Sequence, residues 1–246
     1  MSKLPNAPLI EVIFELFWTV NTTNEQEKFQ FLLGDMYSKL KNEYPKRVSL
    51  VQTPITGLKI PFEMFVNNPT YRFIKNDSYP LYQIGPGILS VNTVDNSYDW
   101  EEFEKEIKKI VTVFSSSYEF EPNAFLNIAL KYIDFYKFNF TNDAYAFLKE
   151  NLHLNISHNI CPTKDENPIF FSFGTGYKND IGQFNIIINK GGINEKGEGF
   201  VVETNVVKTI NSSELNTLPS WLNKAHSVLS DNFKNMTKGQ MYQSFK

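Results

Sequence analysis

Two glutamates, Glu11 and Glu15, stand four residues apart inside the apolar run APLIEVIFELFWTV at residues 7–20. Paired carboxylates can share a proton at a catalytic centre, and polar groups set in an apolar surface can fix the orientation of a ligand. A spacing of four places both side chains on one face of either a helix or a strand. The chemistry open to the pair therefore depends on which element holds it.

The run around the two glutamates alternates in the manner of a strand. Every even position from Ile10 to Val20 is apolar, whereas the odd positions from Glu11 mix polar and apolar residues. β-Branched and aromatic residues are frequent, as strands favour. A helix here would be apolar nearly all round. We therefore predict a strand that presents Glu11 and Glu15 on one face of a sheet.

Through residue 118 the chain is predicted to form a strand, a helix, four short strands and a second helix. The first helix lies within residues 21–45, where apolar residues recur at spacings of three and four. Residues 98–116 have the pattern of the second helix, with acidic residues in the first turn. Between the helices, turn residues separate four segments typical of an antiparallel meander, RVSLVQTPI, TYRFIK, PLYQI and GILSVNTV.

The second half is predicted to repeat this order. A strand at 124–138 and a helix at 141–151 precede four strand candidates, and Pro219 falls in the first turn of the closing helix. The candidates are LHLNISHNI, PIFFSFGT, GQFNIIIN and GFVVETNVVKT. We predict an α+β fold of two pseudo-repeats, residues 1–121 and 122–246, the second with a short C-terminal tail. Together they are expected to form a curved antiparallel sheet with helices on one face.

This element order resembles the fold of the TATA-binding protein and related helix-grip modules, although none of their sequence motifs is present. Two such units usually join their sheets through their first strands, which leaves one face without helices. Aligning the two first strands places Glu11 on Asn127 and Glu15 on Lys131. The resemblance thus implies that Glu11, Glu15, Asn127 and Lys131 cluster on the open face, where they would bind a ligand or partner.

A second resemblance spans residues 4–237. Four segments, LPNAPLIEVIFEL, YQIGPGILSVNTVDNSYDWEEFEKEI, IALKYIDF and LPSWLNKAHSVLSDNF, are similar to successive blocks of a sporadically distributed bacterial family without an assigned activity. The resemblance gives no residue a role. Patchy distribution is typical of genes that travel between genomes, and such genes often serve defence or conflict systems. It therefore implies an accessory role in such a system.

The densest set of possible metal ligands is His153, His158 and Cys161, within HLNISHNIC. A structural zinc site needs four ligands, and strand alternation would turn the two histidines to opposite faces. Cys161 with His158 could form a nucleophile and base, although packing of a small residue before Pro162 explains it more simply. We predict no metal, no cofactor and no catalytic residues.

Composition limits the partners further. A net charge of −3 disfavours nucleic-acid binding through bulk charge. Aromatic residues could still stack on bases while basic side chains meet phosphates. The candidates are Arg72, Lys75, Lys131, Lys137 and Lys190. The single cysteine and the absence of a long apolar segment predict a cytoplasmic protein that does not enter membranes.

The sequence thus favours a non-enzymatic binding protein that uses the open sheet face, or the groove between repeats, for a protein or small ligand. Nucleic-acid binding is the alternative. An enzyme whose site is assembled from dispersed residues ranks third.

Overall fold

The computed structural model describes residues 4–20, 24–51, 61–157, 168–194 and 196–246. Within these ranges the fold is α+β, with nine strands and five α-helices, and the predicted fold class is confirmed. The strands join in the order β2-β3-β4-β5-β1-β6-β9-β8-β7. Their bounds are β1 Leu9–Trp18, β2 Lys46–Ser49, β3 Tyr71–Lys75, β4 Ser78–Gly85, β5 Ile88–Val94, β6 Phe125–Lys137, β7 Ser172–Asn179, β8 Gly182–Ile193 and β9 Gly197–Asn211.

The helices alternate with groups of strands along the chain. They are α1 Glu25–Leu40, α2 Trp100–Ser115, α3 Ala144–Asn151, α4 Leu218–Thr237 and α5 Gln240–Ser244. Short 3-10 helices occupy Phe62–Phe65, Asp95–Ser97 and Ser212–Thr217. No helix among the described residues combines the length and the apolar character needed to cross a membrane.

The chain divides into two compact units. Unit 1 comprises Met1–Ile10, Lys131–Val206 and Lys224–Lys246, and unit 2 comprises Glu11–Leu130 and Val207–Asn223. The predicted pseudo-repeats, 1–121 and 122–246, rest on the order of elements rather than on contacts. That boundary stays a prediction.

The strand predicted for LHLNISHNI differs from the structure over its described part. Residues 152–157 are not in a strand, and residues 158–160 lie outside the described residues. His153 has a φ of 51°, which an extended strand does not accommodate, and its Nε2 lies 2.8 Å from the Lys238 carbonyl oxygen. The local pattern of alternation is thus overridden by a turn that closes α3.

The core of unit 2 lies between the sheet and its helices. The even positions of β1 from Val12 to Trp18 are buried, as the alternation predicted. Phe14 begins a row across neighbouring strands that continues through Val91, Tyr82 and Phe73, all of them buried. Tyr44, just beyond α1, stacks on Tyr82 with ring centroids 4.3 Å apart. The helices of this unit therefore cover the face that carries the even positions of β1.

The core of unit 1 is rich in phenylalanine. Phe200 on β9 lies at its centre, with ring centroids 5.6 Å from both Phe138 and Phe171. The C-terminal α5 packs onto the same core, since Phe245 is buried and stacks on Phe233 at 5.8 Å. The tail of the chain is thus part of the packed unit.

Gly85, at the end of β4, is required by a close backbone approach. A Cβ at this position would stand 1.8 Å from the backbone oxygen of Asn68. We expect Gly85→Ala to lower the free energy of unfolding by roughly 1–3 kcal/mol, because the backbone must move to admit the methyl group. Gly174→Ala is the matched control, since the nearest non-adjacent atom to its Cβ would be Ile186 O at 3.9 Å. Urea unfolding measures both, and equal midpoints would contradict the expected clash.

Candidate functional site

The face of β1 opposite the helices carries Glu11, Ile13, Glu15 and Phe17, all half-buried. The two glutamates therefore share one face of a strand, as the sequence predicted. Antiparallel pairing with β5 sets Glu15 directly opposite Ser90. The pairing of β5 with β4 and of β4 with β3 is regular as far as Phe73, beyond which the register shifts.

A line of polar side chains crosses four strands on this face. Gln83 on β4 lies opposite Ser90, and Arg72 on β3 lies opposite Gln83. We call Arg72, Gln83, Ser90 and Glu15 the polar row. Neighbouring strands are spaced by about 4.8 Å, so the two ends of the row are roughly 15 Å apart. The row thus has a cation at one end and a carboxylate at the other.

A hydrogen-bonded chain holds the acidic end of the face. Ser90 Oγ donates to Asn92 Oδ1 at 2.9 Å, and Asn92 Nδ2 donates to Glu11 Oε1 at 2.8 Å. Ser90 is 3% exposed and Asn92 is 8% exposed. The amide of Asn92 accepts on one side and donates on the other, so its orientation is fixed. The carboxylate of Glu11 is therefore held in place by a buried donor.

Arg72 lacks the same support. Its Nε atom is buried and has no hydrogen-bond partner among the described residues. A buried donor of a charged group that lacks a hydrogen bond costs more free energy than a typical hydrogen bond contributes to stability. Guanidinium donors match the geometry of carboxylates and phosphates. Arg72 is thus a position at which an anionic group of a partner would be stabilised.

The predicted site also includes Asn127 and Lys131. Asn127 is exposed, and its Oδ1 accepts a hydrogen bond of 2.6 Å from Thr209 Oγ1. Lys131 is half-buried and belongs to unit 1, whereas Glu11, Glu15 and Asn127 belong to unit 2. The predicted clustering of all four residues stays a prediction.

Unit 1 carries a comparable chain of amides. Gln183 Nε2 donates to Asn185 Oδ1 at 2.8 Å, and Asn185 Nδ2 donates to Asn205 Oδ1 at 2.8 Å. Asn205 Nδ2 then donates to Glu203 Oε1 at 2.7 Å. Gly176 lies opposite Asn185, where a Cβ would approach Asn185 Oδ1 to 2.7 Å. Each unit thus holds a glutamate carboxylate through a relay of neutral polar groups.

The amide relays were not predicted from the sequence, although the alternation of polar residues in GILSVNTV and GQFNIIIN was a usable signal. Ser90 and Asn92 are two residues apart, and so are Gln183 and Asn185. The sequence did not reveal the strand register that leads each pair to a carboxylate. The first pair reaches Glu11 on β1, and the second reaches Glu203 on β9 through Asn205.

The possible metal ligands form no site in the described parts of the chain, and two of the basic candidates already have partners there. No group of three or more His, Cys, Asp or Glu side chains there could hold a metal ion, and His158 and Cys161 lie outside the described residues. Lys75 Nζ is 2.8 Å from Glu43 Oε1. Lys190 Nζ lies 4.1 Å above the ring of Phe140. Two of the five basic side chains proposed to contact phosphates thus already have partners within their own units.

Comparison of the chain with protein-family models, with curated proteins and with solved structures found no match. The resemblances noted in the sequence therefore stay expectations.

Proposed function

We propose that this chain is a non-enzymatic binding protein that recognises a protein partner through the face of unit 2 bearing the polar row. The observation that carries the proposal is the buried, unsatisfied Nε of Arg72, set on the same face as the fixed carboxylate of Glu11. In a bacterial host the partner would be a component of a defence or conflict system, as the family resemblance implies.

The length of the row favours a protein over a small ligand. A separation of roughly 15 Å matches an extended segment of four to five residues, because a strand rises about 3.3 Å per residue. The complementary segment would present a carboxylate to Arg72 and a donor or cation to Glu11 and Glu15. Groups held in place before binding fix the orientation of a partner without further ordering.

The same contacts argue against catalysis on this face. Ser90 donates its proton to the amide oxygen of Asn92, which is not a base. A serine nucleophile requires an adjacent general base to remove that proton. The relay therefore suits recognition better than acyl transfer.

Nucleic-acid binding has weaker support. The carboxylates of Glu11 and Glu15 share the face with Arg72 and would repel phosphates. Lys75 and Lys190 are already engaged. The net charge of −3 adds no long-range attraction.

The test is a pull-down from native lysate with tagged wild-type protein and two neutral variants, Glu15→Gln and Arg72→Gln. We expect each variant to recover at least about tenfold less of the partner, because losing one charge-assisted contact weakens binding by roughly 1.5–3 kcal/mol. Neutral replacements are preferred to charge reversals because Glu15 Oε2 is itself buried. Bound material is identified by mass spectrometry and by nucleic-acid staining.

Glu101→Lys serves as the matched control, since Glu101 is exposed on α2. Retention of the partner by both neutral variants at the wild-type level would overturn the proposal. Nuclease-sensitive material that survives physiological salt would instead support the nucleic-acid alternative. Melting temperatures of all variants separate a lost contact from a lost fold.

A further inference from the structure

A cavity of about 250 Å³ lies in unit 2, beside the end of β1, the start of α1 and the chain that follows α2. Trp18 lines it and is an even-numbered residue of β1. Because the even positions of β1 face the helices, the cavity is separate from the polar row on the opposite face. Its lining is dominated by aromatic and charged side chains.

Three aromatic rings stand around the cavity. The rings of Trp18 and Tyr118 are 5.4 Å apart, and those of Tyr118 and Phe120 are 5.0 Å apart at 67°. Phe114 stacks behind Tyr118 at 5.6 Å and 9°, which holds the ring in place. The faces of such rings carry a negative potential that attracts cations.

The charged lining is acidic. Glu25, Glu119 and Glu121 contribute three carboxylates against the single ammonium of Lys28, which leaves a formal charge of −2. The start of α1 alone would favour an anion through the helix dipole. The carboxylates outweigh that partial charge, so the cavity favours a cation.

Glu25 is short of partners for a buried carboxylate. The residue is only 4% exposed, yet Tyr118 Oη lies 3.3 and 3.4 Å from its two oxygens. Lys28 Nζ lies 3.6 Å away and its side chain is half exposed. Hydrogen bonds from a hydroxyl are usually about 2.5–3.0 Å long. These contacts in the described part of the chain are too long to offset the cost of burying the Glu25 carboxylate. A ligand ammonium would offset that cost.

A second observation points to the same cavity. Trp18 is 4% exposed, and its indole Nε1 has no hydrogen-bond partner among the described residues. Burial and the neighbouring Glu25 carboxylate raise the pKa of Tyr118 to about 12. Tyr118 therefore stays neutral and donates towards Glu25. The indole N–H is left to meet an acceptor on a ligand.

We propose that this cavity binds a small organic ammonium ion that also carries a hydroxyl or carbonyl oxygen. The ammonium lies against Glu25 and the aromatic faces, and the oxygen accepts from Trp18 Nε1. A volume of about 250 Å³ admits a small ligand. The inference goes beyond the proposed function, because it concerns the other side of β1.

Calorimetric titration of the wild-type protein tests the charge requirement. The probes are choline, ethanolamine and 3,3-dimethylbutan-1-ol, the uncharged carbon isostere of choline. We expect choline or ethanolamine to bind with a dissociation constant of about 1 mM or tighter, and the isostere at least about tenfold more weakly. Equal binding of choline and its isostere, or no binding of either cation at about 10 mM, would overturn the proposal.

Variants then assign the contacts. Glu25→Gln is expected to weaken binding of the better cation by about tenfold or more, whereas Glu27→Gln, exposed on the same helix, leaves it unchanged. Trp18→Phe keeps a ring but removes the donor. This substitution should weaken the binding of choline by about threefold or more. It should leave the binding of tetramethylammonium unchanged, because that ion has no hydrogen-bond acceptor. Unchanged affinity for the cation in Glu25→Gln would contradict the assignment, and so would equal losses for both probes in Trp18→Phe.

Discussion

Glu106→Ala is expected to lower the free energy of unfolding by about 3–5 kcal/mol, because it removes the acceptor at the centre of a buried polar cluster. Glu106 on α2 is 7% exposed. Its Oε2 accepts from Tyr44 at 2.9 Å and also from Tyr82, while Lys109 Nζ lies 2.7 Å from its Oε1. Without the carboxylate, two buried hydroxyls lose their acceptor.

The cluster ties three elements of unit 2 together. Tyr44 follows α1, Tyr82 lies on β4, and Glu106 and Lys109 lie on α2. Lys109 also reaches Glu43 at 2.8 Å, so the alanine variant leaves the ammonium one partner. The main loss is therefore expected from the tyrosine hydroxyls and from the packing of α2 on the sheet.

The same cluster makes stability depend on pH. Burial acts to raise the pKa of Glu106, but Lys109 and the two tyrosine hydroxyls outweigh it and hold the pKa below its ordinary value of 4.5. A lowered folded-state pKa stabilises the protein above the unfolded-state pKa, and this contribution is lost as the pH falls through the folded-state value. The stability difference between wild type and Glu106→Gln should therefore shrink below a pH of about 4.5.

Denaturant unfolding at several pH values measures both effects. Glu102→Ala is the matched control on the same helix, since Glu102 is exposed and its contact with Lys105 is 3.4 Å long. Its expected effect is within about 0.5 kcal/mol. A loss below about 1 kcal/mol for Glu106→Ala would show that the cluster contributes little.

Elements with a strong local pattern were predictable from the sequence. Alternation over residues 9–20 predicted β1 and the shared face of Glu11 and Glu15, because strand periodicity is a property of neighbouring residues. Glu106 was overlooked although it lies three residues after Phe103 and four before Ile110, on the buried stripe of α2. Charged residues are rarely buried unless paired, and the tyrosine partners are distant in sequence.

The sites themselves depend on register and on distant segments. The polar row requires four strands to pair in a specific alignment, and the cavity brings the end of β1 and the start of α1 beside residues 118–121. No pattern within either segment shows that the other lies beside it. The sequence therefore predicted which face of β1 is polar but not which neighbours complete it.

Trp221 and Trp100 differ in burial, although each lies near the start of the helix that closes its predicted repeat. Trp221, in the first turns of α4, is 4% exposed, and Leu218 and Leu222 beside it are buried too. Trp100 is the first residue of α2 and is only half-buried. The stabilisation that a buried aromatic side chain contributes to folding is roughly proportional to the apolar area it removes from water.

We therefore expect Trp221→Ala to lower the free energy of unfolding by about 3–5 kcal/mol, and Trp100→Ala by about 1–2 kcal/mol. Each variant serves as the control for the other, because both remove the same side chain near the start of a helix. Guanidinium unfolding followed by circular dichroism measures the two losses without relying on tryptophan emission. Equal losses would contradict the difference in burial and would favour the equivalence that the repeat implies, since two tryptophans in matching environments should contribute alike.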